Sequence, residues 1–104
     1  MGSIMANDAK QMSEEQQRQM LFFMLVQQHE QIALMGLGEV ENPESGQKQK
    51  DMSAAKYAID TLEMLELYTK GNLSAEMKEY LTHTLTQLRL QFVDVKKSES
   101  GGGQ

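Results

Sequence analysis

His29 and Glu30 open the run HEQIA, and a histidine followed by a glutamate is how the helical zinc-protease signature begins. That chemistry needs a second histidine one turn on, so that two imidazoles on one face hold the metal while the carboxylate activates water. Position 33 is Ala33, and the ligand pair does not form. A carboxylate di-iron bundle requires a histidine three residues after a glutamate; Glu30 is followed at that distance by Ala33, and Glu79 by Thr82. Asp60, Glu63 and Glu66 recur at threes along one side of a helical stretch and could attract a cation weakly. Without further ligands, such spacing reads as a hydrated charged face.

Other fragments of motifs fail in the same way. GLGEVE (Gly36–Glu41) places Glu41 where a dinucleotide fingerprint needs its third glycine, and it follows a helix instead of a strand. NLS at Asn72–Ser74 matches a glycosylation sequon, but Ser74 is better employed capping the next helix. With no cysteine, thiolate metal sites, disulfides and a thiol nucleophile are excluded. His29 and His83 are flanked by polar residues and are expected to face solvent. An enzyme built from these parts has neither nucleophile nor activated base. No catalytic, metal or cofactor-binding residue is therefore assigned, no cofactor is expected, and the expectation is not an enzyme.

The elements that would carry any site are helices. A chain of 104 residues holds one domain. Ser13 is placed to cap a first helix over residues 14–35, with Gln16 completing a capping box and Gly36 supplying the left-handed residue that ends it. A second helix follows Asp51 as its cap and covers residues 52–70, with an apolar face from Met52, Ala55, Ile59, Leu62 and Leu65. A third covers residues 75–95, where Met77, Leu81, Leu85, Leu88, Phe92 and Val95 form a near-heptad stripe. The short link GNLS makes the second and third helices antiparallel neighbours. Pairing about that link brings Leu85 near Ile59 or Asp60, Leu88 near Tyr57, and Arg89 toward Asp60 or Lys56, with the carboxylate favoured.

The expected fold class is all-α: a three-helix bundle over residues 13–95, with a disordered segment over 1–12 and a flexible tail over 96–104. The connection over 36–50 is long for a compact domain. Leu37 and Val40 are expected to lie down on the bundle, while Pro43 and Gly46 set the turn between them and the second helix.

The run Met20–Val26 is apolar all the way round the first helix. One face can dock on the other two helices. Two sets compete for that role: Leu21, Met24, Gln28, Ile32 and Met35, or Phe22, Leu25, Val26 and Ala33. The sequence does not choose between them. Whichever is left outside strands a patch of large apolar side chains, the mark of an interaction site, and a domain this small gains from extra burial. Met20, Leu21, Phe22, Phe23, Met24 and Val26 are thus the candidate oligomer interface, with a homodimer favoured. The flexible thioethers also suit a groove for another, unidentified protein. The leading functional expectation is a non-catalytic helical protein acting through self-association or protein–protein contact; the alternative is a regulatory or ligand-binding subunit that uses the 37–50 loop.

A net charge of −5 argues against nucleic acid, and Lys48, Lys50 and Lys56 are expected on a solvated face. The apolar run is far short of the roughly 20 residues of a membrane span. No basic and apolar leader is visible in MGSIMANDAK, so a cytoplasmic address is expected, with neither a membrane nor a nucleic-acid partner.

From Ile32 to Val95 the chain resembles a family of small bacterial proteins known as a domain of unknown function. The resemblance rests on Leu37–Gly38 before the Asn42–Pro43 and Gly46 turn, AIDTLEML (Ala58–Leu65), KGNLS (Lys70–Ser74) and LRLQFV (Leu88–Val93). Members more often carry small and hydroxyl residues where this chain has FFMLVQQH. The resemblance implies a short all-helical cytosolic protein, a fixed joint at GNLS and a structural partner for Arg89. It implies no activity, cofactor or site residue.

Overall fold

A computed structural model describes residues 12–102. The segment expected to be disordered therefore lies outside the described residues, Met12 apart, as do the last two residues of the expected tail. Three helices make up the described chain: α1 (Glu14–Gly36), α2 (Met52–Tyr68) and α3 (Ala75–Gly102), packed as a three-helix bundle with no strand among these residues.

Each helix begins where side-chain chemistry dictates. Ser13 Oγ accepts from the Gln16 amide at 3.0 Å while Gln16 Oε1 accepts from the Ser13 amide at 2.9 Å, a complete capping box. The Asp51 carboxylate accepts from the Ala54 amide at 3.1 Å, and Ser74 Oγ from the Met77 amide at 3.2 Å.

The end of α1 differs from expectation. Gly36 is helical, and the left-handed residue is Gly38, with φ of 78°. The Glu39 amide donates to the Leu34 carbonyl at 2.9 Å and the Gly38 amide to the Met35 carbonyl at 3.0 Å, the paired bonds of a Schellman motif. Gly36 serves another need. A Cβ there would stand 2.6 Å from the Asp51 carbonyl oxygen and 2.7 Å from the Ala55 nitrogen, both backbone atoms. Only a bare Cα lets α1 come this close to the first turn of α2, and the Asp51 amide then donates to the Gly36 carbonyl at 2.8 Å.

The core forms where the three helices meet. Val26, Ala33 and Leu37 from the α1 strand of chain, Ala55, Ala58, Ile59 and Leu62 from α2, and Leu81, Leu85 and Leu88 from α3 are buried together, with Phe22, Leu65 and Phe92 packed against them. The inward face of α1 is thus the Phe22, Val26 and Ala33 set. Leu37 joins the core as expected of the loop, and Val40 is half-buried.

Two further expectations need correction. The α2–α3 register is displaced by about one turn, because the Arg89 Nε–H donates to Glu63 at 2.8 Å and not to Asp60. Asp60 is taken by Lys56, at 2.7 Å. Beyond Tyr68 the chain keeps winding along α2: the Thr69 amide donates to the Leu65 carbonyl and the Asn72 amide to the Thr69 carbonyl. It reverses only around Gly71, at φ of 83°, so α3 starts farther out than a tight hairpin would place it. Tyr57 is left exposed and is not the surface beneath Leu88.

The third helix also continues past Val95 to Gly102, through most of the segment expected as a flexible tail. A helix already held by a packed face extends at the cost of one residue per added hydrogen bond. Side-chain contacts reinforce the extension: Lys96 Nζ lies 5.8 Å from the Phe92 ring centre, and Glu99 pairs with Lys50 at 3.6 Å.

In an ordinary helix interior, Gly36→Ala would raise stability by about 1 kcal/mol. Here the substitution is expected to lower it by about 1–3 kcal/mol, the range for overpacking. Urea denaturation of the two proteins checks the sign.

Candidate interaction surface

With Phe22, Val26 and Ala33 turned inward, helical geometry of 3.6 residues per turn sends Leu21, Met24 and Gln28 outward, while Ile32 and Met35 of the same set are half-buried. Leu21 is 65% exposed, Met24 53% and Met20 48%, and Leu25 is exposed on the flank. Of the six residues expected at an interface, Val26 and Phe22 belong to the chain's own core instead; Val26 is fully buried. The surface available to a partner is Met20, Leu21 and Met24, edged by Phe23 and Leu25.

Phe23 marks the side of α1 that meets α3. Its ring centre lies 4.7 Å from that of Tyr80, with the planes tilted by 40°. The Tyr80 hydroxyl donates to Glu30 at 3.4 Å. Partial burial, then the Glu30 charge and the hydrogen bond to it, push the Tyr80 phenol above its ordinary 10.0. On the opposite flank Leu25 is exposed and Ile32 is half-buried against the core. On α2 the Glu63 carboxylate meets α3 through Arg89, and Tyr57, Met64 and Tyr68 lie away from the buried face. All three are exposed.

The residues considered for chemistry are dispersed, and each carboxylate of the helical series has its own neighbour. Asp60 holds Lys56, whose ammonium pKa is raised first by that hydrogen bond and then by the Asp60 charge. Glu63 holds Arg89, and Glu66 accepts from the Thr82 hydroxyl at 3.1 Å. Among the described residues no three metal-ligating side chains are grouped. His29 is half-buried and not solvent-facing, because its ring lies back along α1; its Nδ1 is 3.0 Å from the Leu25 carbonyl oxygen, which accepts in the Nδ1–H tautomer. His83 is exposed on α3, and Lys48, Lys50 and Lys56 are exposed as expected.

The 37–50 connection is closed by its own bonds. The Asn42 side chain accepts from the Glu44 amide at 2.8 Å, the Gly46 amide donates to the Asn42 carbonyl at 2.7 Å, and the Asn42 amide donates to the Gln47 carbonyl at 2.9 Å. Gly46, at φ of 68°, completes the turn beside Pro43.

One feature escaped the sequence. A cleft of about 490 Å³ opens between the ends of α2 and α3, with Leu67, Leu73 and Leu81 on its apolar side and Glu63, Glu66 and Arg89 on its polar side. It depends on the displaced register, which local spacing does not reveal. Among its charged groups Arg89 pairs with Glu63 and Glu66 accepts from Thr82, and Lys70 and Lys78 also line it.

The raised Tyr80 pKa gives a pH prediction. A phenol whose folded value lies above its unfolded one contributes stability that is complete below the unfolded value, near 10, and is lost as pH rises through the folded value. Phenolate absorbance titration of Glu30→Gln is expected to show Tyr80 ionising at lower pH than in the parent. An unchanged midpoint would leave burial alone as the cause.

None of the curated proteins and none of the solved structures compared with this chain matches it. A family model does, and it begins earlier than the resemblance read from Ile32 onward, taking in the apolar block of α1. That model, described as a domain of unknown function (DUF1844), matches residues 19–94, and the chain belongs to that family.

Proposed function

We propose that this protein is a non-catalytic helical module that acts by self-association, two copies packing the outward face of α1 against each other. The observation that carries this reading is the exposure of Met20, Leu21 and Met24 on a well-capped helix whose inward face is already filled. In water such a patch is stabilised by being covered, at roughly 25 cal/mol per Å² of apolar area removed. The outward positions suit a helical partner. Leu21, Met24 and Gln28 fall on the four-and-three spacing along which two helices mesh side chains, and Gln31 completes the series. Glutamines within an apolar seam weaken association while fixing its alignment, because each seeks a partner across the interface.

A second copy is favoured over a foreign partner because one surface then satisfies both molecules. The self-bonded 37–50 loop gives less support to a ligand-binding role. With a formal charge of −5, nucleic acid is not the proposed partner, and a cytoplasmic setting fits this reading. No helix among the described residues is long and apolar enough to cross a membrane.

Light scattering at micromolar concentration is expected to give about twice the 11.8 kDa chain mass. Leu21→Lys combined with Met24→Lys should yield a monomer with unchanged helicity, since neither side chain contributes to the core. The unaltered protein remaining a monomer throughout the micromolar range would overturn the reading.

A further inference from the structure

The sulfur content of this surface has a chemical consequence. Nine of the 104 residues are methionine, and Met20 and Met24 stand one turn apart on the outward face of α1, close to half exposed. Met64 on α2 is 41% exposed, whereas Met77 is buried at 9%. With no cysteine in the chain, thioethers are its most readily oxidised groups. We infer that Met20 and Met24 are an oxidation site at which hydroperoxides control assembly. This rests on the self-association proposed above and adds a regulation to it.

The step is a two-electron oxygen transfer. The methionine sulfur attacks one oxygen of hydrogen peroxide; the S–O bond forms as the O–O bond breaks, and the departing oxygen leaves as water. Sulfur is oxidised to the sulfoxide and the peroxide is reduced. The product replaces a flexible apolar side-chain end with a polar S=O acceptor. Leu21, Phe23 and Leu25 beside them offer no side-chain donor, and the Gln28 and Gln31 amides of the same face are engaged in pairing across the contact, so burying the sulfoxide oxygen strips it of water at a cost in free energy. Oxidation therefore favours the separated copies. Mass action gives the device a threshold: paired copies shield the sulfurs, so oxidation proceeds through the monomer and slows as protein concentration rises.

The test treats the full chain with hydrogen peroxide at protein concentrations below and above its dimer dissociation constant. Peptide mass mapping locates the sulfoxides, and light scattering follows assembly. The expected result is sulfoxide at Met20 and Met24 with Met77 spared, a slower reaction at the higher concentration, and a dissociation constant raised roughly tenfold or more. Methionine sulfoxide reductases should restore the dimer. Met20→Leu/Met24→Leu, made also as the two single variants, should assemble normally and resist peroxide.

Oxidised protein that carries both sulfoxides and associates as tightly as before would overturn the inference while leaving self-association standing. So would dissociation by peroxide of the double leucine variant, or failure of the two sulfoxides to form. A monomer before any peroxide is added would remove both proposals.

Discussion

Gly36 against the first turn of α2 is the contact from which the remaining arrangement follows. Backbone meets backbone there: the Asp51 carbonyl and the Ala55 nitrogen occupy space that any Cβ would need. Ala33, Ala55 and Ala58, all fully buried, continue the close approach along the same seam. Small residues permit it, and the Asp51 amide bond to the Gly36 carbonyl holds it in place. Once α1 is fixed in rotation by this seam, its other residues have no freedom of direction. Val26 and Phe22 turn toward α2 and α3, and Leu21 and Met24 turn away. The exposed apolar face is thus a geometric result of a glycine more than a turn distant from it.

The charged residues play a different part. Arg18 lies within ion-pair distance of Glu14 and Glu15, Lys56 of Asp60, and Arg89 of Glu63, every pair well exposed. Exposed pairs of this kind contribute on the order of 0–1 kcal/mol each. They trim the surface and align the α2–α3 hairpin, while burial of aliphatic side chains supplies the driving force for folding. No buried side-chain polar atom among the described residues lacks a hydrogen-bond partner. Buried polar side chains are thus satisfied within the chain, and large apolar side chains remain on its surface.

Much of this was legible in the sequence, and the misses share a cause. Helix starts at Ser13, Asp51 and Ser74 were readable because a cap is a transaction among residues three positions apart. Gly36 was misread because glycine serves two purposes, permitting a left-handed turn and permitting close approach, and only the partner helix tells which. The inward face of α1 was undecidable because leucine, methionine and phenylalanine occur all round it. Arg89 was paired one turn away from its actual neighbour, since the path from Thr69 to Ser74 depends on backbone direction beyond local propensity. The end of α3 was missed because serine and glycine near Ser98–Gly102 are poor helix formers, whereas the Lys50–Glu99 contact lies far apart in sequence.

The meeting of Gly36 and Asp51 also defines a port in the molecule. The intervening segment leaves and re-enters the bundle at points joined by a 2.8 Å hydrogen bond, with Leu37 anchored and the turn around Pro43–Gly46 standing clear in solvent. Lengthening such an excursion is thermodynamically cheap, about 0.6 kcal/mol for each doubling. A peptide epitope or a reporter domain spliced at Glu44–Ser45 would ride outside the bundle, leaving the helices and their outward face undisturbed.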